Sequence, residues 1–259
     1  TLAELVDTYG EADIRNLSDR VNKPAQAVDE QVVARAMADA AAEIDLHLEA
    51  RYRLPLASVP QVLVVNSKRA NTGSYKEFIE LIRKNPGKLD YASAGAGSVH
   101  HLAGELFKQQ TKTSITHIPY RGAGPALQDL IAGTVDMAFD GLGSSAGHIK
   151  GGRIKALMVA GNKRNPAIPD VPSAAEVGLP AYDVHTWYGL WAPKGTPPEV
   201  QAAAIEAFRK AAQDPEAKTV WAGQGADFPN VTGAQFGKLI HDEIRKWADV
   251  VKASGAKLE

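Results

Sequence analysis

The chain has 259 residues, with 29 Lys and Arg against 30 Asp and Glu, a formal net charge of -1 and 44% hydrophobic residues. This length allows a substantial core in one large or two modest domains, and near-neutral charge leaves no electrostatic footprint for nucleic acid or an anionic membrane. No apolar run reaches the ~20 residues of a spanning helix, and zero cysteines exclude disulfides, thiolate metal sites and a cysteine nucleophile.

The opening stretch, TLAELVDTYGEAD, has neither a basic start nor an apolar run, so no signal peptide is visible in it. Residues 1–60 hold one glycine, Gly10, and 11 acidic against 6 basic residues; the remainder holds 22 glycines and 19 acidic against 23 basic residues. Such a shift marks a domain boundary. The first segment reads as helical. Leu2, Leu5 and Tyr9 share a face behind a Thr1 cap, a short element starts at Asn16 or Ser18, and Asp29 caps a long helix over Glu30–Tyr52. Val32, Val33, Met37, Ala40, Ile44 and Leu48 stripe that helix, and Leu54-Pro55 ends it.

From Val62 the pattern alternates. Val62–Val65 reads as a strand, and Ser74 caps a helix with Phe78, Leu81 and Ile82 on one face, stopped by Asn85-Pro86-Gly87. Strand Leu89–Ala92 leads to a helix opened by Ser98, and strand Ser114–Ile118 to a helix with Pro125 in its first turn. Strand Thr134–Phe139 precedes a short helix near His148, and Ile154–Val159 is a further strand. After the proline-rich Pro166–Pro172 come an aromatic strand, Thr186–Ala192, and two helices, Pro198–Gln213 and Gly233–Ser254. Strands alternating with helices predict βαβ units and a mostly parallel α/β sheet. The composition shift sets off residues 1–60 as a first domain.

Three successive strands end in glycine-rich segments: Ser93-Ala94-Gly95-Ala96-Gly97-Ser98, Tyr120-Arg121-Gly122-Ala123-Gly124 and Asp140-Gly141-Leu142-Gly143-Ser144-Ser145. In a parallel sheet all three emerge at one edge, where ligands of such sheets bind. Backbone N–H groups at helix N-termini, aided by the helix dipole, favour an anion there. Ser93 and Ser98 offer hydroxyls and Arg121 a charge. Glycine also serves tight turns with no ligand involved.

Sharper motifs fail or stand alone. No stretch matches the phosphate-loop pattern, and His100 occupies the third glycine position of a dinucleotide fingerprint. Gly143-Ser144-Ser145-Ala146-Gly147 matches a nucleophile elbow after a strand, so a serine hydrolase using Ser145 is one alternative. Its acid and histidine partners, drawn from Asp183 with His185 or Asp242 with His241, lack convincing order. Adjacent His100 and His101 point ~100° apart on a helix and do not readily share one ion; His100 suits a ligand contact, His101 packing or solvent. Trp187, Tyr188 and Trp191 alternate on a strand, with packing the default and a cleft wall the alternative.

Several stretches carry a family resemblance: VPQVLVVN (59–66), NPGKLDYASAGAGSVHHLAGELFK (85–108), HIPYRGAGPALQDLIAGTVDMAFD (117–140), HIKGGRIKALMVAG (148–161), PDVPSAAEVGLP (169–180) and TWYGLWAPKGTPPEV (186–200). In order and spacing, residues 59–259 resemble the Bug-type substrate-binding proteins of tripartite tricarboxylate transport systems. The resemblance implies a periplasmic-binding-protein-like (type II) architecture of two α/β lobes joined by crossing strands, with a carboxylate-bearing solute held between them. Ligand contacts in the second lobe would come from Ser93, Gly95, Gly97, Ser98, His100, Tyr120, Arg121, Gly122 and Asp140. The implied protein is periplasmic, not an enzyme, needs no cofactor or metal, does not insert in the membrane and works with membrane transporter subunits. Where the family carries most of its first lobe, residues 1–60 instead resemble Mu-like phage proteins of the head–tail connection, through LAELVDTYGEADIRNLSDR (2–20) and VVARAMADAAAEIDLHLEARYRLPLASVP (32–60). The chain therefore reads as a fusion: the helical segment 1–60, then 61–185 as the second lobe that the resemblance implies, then 186–259 as the crossover strand and C-terminal helices of a truncated first lobe, prone to self-association there; a phage-connector-like assembly role is the main alternative function.

Overall fold

The computed structural model of the chain describes residues 57–70, 72–189, 192–193, 195–227 and 234–255; the helices expected before residue 57 lie outside them. By internal contacts the chain divides into one unit of Thr1–Tyr52 with Trp191–Pro197 and another of Arg53–Leu190 with Pro198–Glu259. The elements described here belong to the second.

The apolar run VPQVLVV lies inside a nine-residue strand, β1 (Ala57–Val65), longer than its β-branched core alone predicts and continuous across residues 60 and 61. Four shorter strands join it: β2 (Asp90–Ser93), β3 (Thr116–Pro119), β4 (Met137–Gly141) and β5 (Lys155–Val159), in the spatial order β3-β2-β4-β1-β5. A sixth, β6 (His185–Tyr188), pairs with the first half of β1, from Ala57 opposite Tyr188 to Pro60 opposite His185. The aromatic strand is thus shorter than Thr186–Ala192. β2 is parallel to both β3 and β4. β1 is antiparallel to β4 and β5, so these four strands share one direction and β1 alone runs against them. Parallel neighbours need a crossover connection; β1 reaches the sheet from its pairing with β6 and is under no such constraint.

Helices cover both faces. Period-2 alternation sends Leu63, Val65, Met137 and Phe139 to one side, where they pack with Phe78, Ile79 and Ile82 of α1 (Tyr75–Lys84) and Ala103 and Phe107 of α2 (Val99–Thr111). Val62, Val64 and Ala138 face the other side, against Ala126, Leu127 and Leu130 of α3 (Ala123–Ala132) and Leu142 and Ala146 of α4 (Leu142–Lys150). A strand buried on both faces has no polar side to show, which is why Val62–Val65 of β1 reads as an unbroken apolar run. Each of its fully buried aliphatic side chains contributes about 1.5–3 kcal/mol. Ser74 caps α1 as the sequence indicates, its Oγ accepting from Glu77 N–H.

The C-terminal part holds three helices where two were expected: α5 (Pro198–Gln213), α6 (Pro215–Gly223) and α7 (Ala234–Ser254). The unexpected α6 has its own start signal, Asp214 Oδ1 accepting from the Glu216 and Ala217 amides ahead of Pro215. No helix among the described residues is long and apolar enough to cross a membrane.

Candidate functional site

Because β3, β2 and β4 are adjacent and codirectional, their C-terminal residues Pro119, Ser93 and Gly141 lie at one edge of the sheet. Each strand then feeds a helix. Ala94–Ser98 joins β2 to α2, and Tyr120–Gly122 joins β3 to α3. The third connection is not the loop its glycines suggest. Gly141 is the N-cap of α4, and Leu142–Ser145 are already helical. Glycine and serine tolerate either conformation, and fully buried Leu142 anchors the helical one.

Backbone amides at this edge are partly taken by the protein itself. Gly95 N–H donates to Ser93 Oγ at 3.1 Å, and Gly97 N–H donates to His101 Nδ1 at 3.1 Å. Ser98 caps α2, its Oγ accepting from His101 N–H at 3.3 Å and donating to Gly95 O at 2.7 Å. The expectation that Gly95 and Gly97 offer free amides is corrected: a sheltered N–H without a partner is costly, and the loop supplies partners. What these glycines contribute is backbone shape, φ +125° at Gly95 and +73° at Gly97. Elsewhere donors stay open. The amides of Val99 and His100 make no hydrogen bond among the described residues. Neither α3, capped by Gly122, nor α4, capped by Gly141, has a side-chain cap, which leaves first-turn N–H groups of both for solvent or a ligand.

The side chains follow. His100 Nε2 lies 3.4 Å from Asp140 Oδ1, and Ser144 Oγ donates to Asp140 Oδ2 at 2.6 Å. Asp140 is buried and His100 mostly so; His100 Nδ1 is buried and has no hydrogen-bond partner. Tyr120 is turned away, its hydroxyl donating to Asp129 Oδ2 at 2.8 Å; burial and the Asp129 carboxylate push that hydroxyl up to about 12. Arg121 is exposed. A depression of about 10 Å³ lies among Ala92, Ser93, His100, Ala123, Ala138 and Asp140, room for about one water. The edge is thus an open wall and not an enclosed cavity. Larger concavities, of 660 Å³ beside Tyr75, Arg83 and Glu176 and 420 Å³ beside Pro60, Asp183 and His185, adjoin none of the three strand ends.

Ser145 is fully buried and its Oγ donates to Gly141 O at 3.0 Å. That is the local back-bond of a helical serine, with no open approach for a substrate and no histidine bonded to the hydroxyl. The nucleophile-elbow alternative fails on this geometry. Asp183 and His185 do pair, at 2.8 Å, but with each other and not with a serine. Trp187 packs edge-on against Phe236 at 5.8 Å between centroids, while Tyr188 is exposed.

His101, expected to be packed or exposed, is packed, and His117, which sequence reasoning did not single out, packs with it at the edge. His101 is buried and stacks on His117 of β3, whose Nε2 is 2.6 Å from Ser93 Oγ. The spacing of four residues between Gly97 and His101 was the available signal, since a side chain in a first helical turn can reach back to the preceding loop.

Comparison with known proteins agrees with the resemblance read above. Residues 43–256 match the family described as tripartite tricarboxylate transporter family receptor, and residues 1–69 match that described as Bacteriophage Mu, Gp36. Protein BugT of Bordetella pertussis is 35% identical over 204 residues, covering 79% of this chain and 62% of BugT; the chain thus spans less than two thirds of that relative. Among solved structures, Rpa4515 of R. palustris, solved with adipate, superposes with a TM-score of 0.73 at 30% identity, over 80% of this chain and 69% of that one. MatC from Rhodopseudomonas palustris, solved with bound malate, gives a TM-score of 0.70 at 32% identity, over 78% and 69%. The mixed sheet, helices on both faces and antiparallel crossing of β1 with β6 place the fold among periplasmic binding proteins, and the chain belongs to the tripartite tricarboxylate transporter receptor family.

Proposed function

We propose that this chain is the solute-capturing part of an extracytoplasmic, periplasmic receptor. It holds a small carboxylate between two lobes and delivers it to the membrane subunits of a tripartite tricarboxylate-type transporter. The observation that carries this is the edge itself: three adjacent codirectional strands ending beside helix N-termini, two of them without side-chain caps. Such amides, with the dipoles behind them, suit a carboxylate. In this reading Ser93, Gly95, Gly97 and Ser98 shape the first turn, His100 meets the solute with the exposed part of its ring, and Gly122 opens the amides of α3. Arg121 supplies an exposed charge, Tyr120 fixes the turn from Asp129, and Asp140 holds the His100 ring in place through its Nε2. Adipate on Rpa4515 and malate on MatC support a di- or tricarboxylate, with acidic amino acids and aromatic acids as further members of the class. Capture draws the lobes together, and the closed form is what the transporter reads.

A thermal-shift panel of adipate, malate, citrate, glutamate and benzoate tests this. A true ligand at 100 times its Kd stabilises by ~2.7 kcal/mol, and a melt that none of the five moves refutes carboxylate capture. The match of residues 1–69 to the phage family favours one second reading, an assembly role set by the N-terminal segment. It requires ring-like oligomers in light scattering and no response to the acids. Self-association of pairs, favoured by exposed Val200, Val220, Ile244 and Val251, would appear in the same measurement as a dimer.

A further inference from the structure

Beneath the Ser93–Ser98 turn, the rings of His101 and His117 stack with centroids 3.9 Å apart and planes at 13°. Tyr91 of β2 stacks on His117 in turn, at 5.0 Å and 29°. Hydrogen bonds define the protonation of His101. Gly97 N–H donates to its Nδ1, so Nδ1 carries the lone pair and the proton of the neutral ring sits on Nε2, 3.8 Å from Glu105 Oε1. A charged His101 must carry a proton on Nδ1 as well. That proton would point at the Gly97 N–H, donor against donor, and the contact would have to open. His117 meets the other positive-φ glycine through Ser93, whose Oγ accepts from Gly95 N–H and lies 3.2 Å from Gly95 O.

We propose that His101 is a positioning residue of the solute site: its neutral imidazole, braced by His117, holds the Gly97 peptide inward, gives the Ser93–Ser98 turn its shape and makes capture depend on pH. The link to capture rests on the receptor reading above; the dependence of the turn on His101 does not.

The groups facing the pair favour the neutral state. On α2 these are Glu105 and Lys108; from β3 comes His117 and from β2 Tyr91. Lys108 Nζ sits 2.8 Å from both Glu105 oxygens, and Tyr91 donates its hydroxyl to Glu105 at 2.7 Å. Glu105 is thereby occupied and is a poor counter-ion for an imidazolium. Burial lowers the affinity of His101 for a proton; burial, then the neighbouring His101, lowers that of His117 to about 4.

The test is a long-range ¹H–¹⁵N NMR titration of the ligand-free chain between pH 7.5 and 5, paired with the variant His101→Gln, whose side-chain oxygen can accept from Gly97 but does not titrate. Expected are the Nε2–H tautomer of His101 at pH 7.5, protonation below the ordinary histidine midpoint, and a Gly97 amide resonance that moves with that protonation. The Nδ1–H tautomer, or a Gly97 amide unmoved while His101 titrates, overturns the proposal. For capture the probe is adipate, compared between the two proteins at each pH so that the charge on the acid cancels. Its affinity should fall about fivefold more in wild type than in His101→Gln between pH 7 and 5.5; an equal fall overturns the link to capture. If adipate binds neither protein at pH 7, the receptor reading loses support for that acid, while the tautomer and titration still decide the role of His101.

Discussion

Gly104 sits in the middle of α2, where alanine ordinarily gains about 1 kcal/mol over glycine. Here the sign reverses. A Cβ at this position would come within 2.3 Å of Tyr91 Cε2 and 2.6 Å of Cζ. Tyr91 cannot retreat easily, since it is fully buried, stacked on His117 and bonded to Glu105. Gly104→Ala should therefore destabilise by about 2–3 kcal/mol through overpacking, read as a lowered urea midpoint with unchanged slope. A neutral or stabilising effect would mean that the Tyr91–His117–His101 stack is looser than described. Ser145 gives the opposite case. Its hydroxyl only back-bonds to Gly141 O, so Ser145→Ala should cost less than about 1 kcal/mol and leave any trace of ester hydrolysis unaltered.

At the scale of elements, Asn66 joins the end of β1 to the end of α3. Its Nδ2 donates to Leu130 O at 2.8 Å and Ile131 O at 3.2 Å, in the last turn of α3, while Oδ1 accepts from the Lys68 and Arg69 amides. Asn66→Asp keeps the acceptor half and removes the donor. It places a carboxylate against carbonyls at the negative end of a helix dipole. A loss of about 2–3 kcal/mol is expected at pH 7, recovering as pH falls far enough to protonate the new carboxyl; denaturant titration at pH 7 and pH 4.5, each against wild type, checks it. How much of this was legible beforehand differs by element. Strand and helix positions from Val62 to Val159 follow from periodicity and caps, because Ser74 and Ser98 act within four residues of themselves. The direction of β1 was not legible, because it depends on Ala57–Pro60 meeting His185–Tyr188 across more than a hundred residues. Nor was the fate of the third glycine segment: Gly141–Ser145 has a composition that suits a loop, and burial of Leu142 decides for a helix. The candidate edge was readable as a set of strand ends, but the loss of the Gly95 and Gly97 amides to Ser93 and His101 depends on side-chain placement that spacing does not reveal.

For the molecule as a whole, buried His101 and half-buried His117 set the acid limb of stability. His101 and His117 have lower proton affinity folded than in an ordinary peptide, His117 down to about 4, with burial as the first cause for both. Between the ordinary value near 6.5 and these lowered ones, the unfolded chain binds more protons than the folded one, so stability falls as pH falls. Carboxylates act in the same sense further down: Glu105, held low by Lys108 and Tyr91 against the effect of burial, and Asp183, held low first by its bond to His185, stabilise above their ordinary values and lose this as they protonate. Asp90, raised by burial, acts oppositely. The net expectation is a loss on the order of 1–2 kcal/mol between pH 7 and pH 5, where the histidines dominate. His117→Gln should flatten that segment, because glutamine can still reach Ser93 Oγ without titrating. Urea unfolding at half-unit steps of pH measures it, and a wild-type curve flat from pH 7 to 5 would require both imidazoles to be reachable by solvent protons without opening the stack, against their placement between β2, β3 and α2.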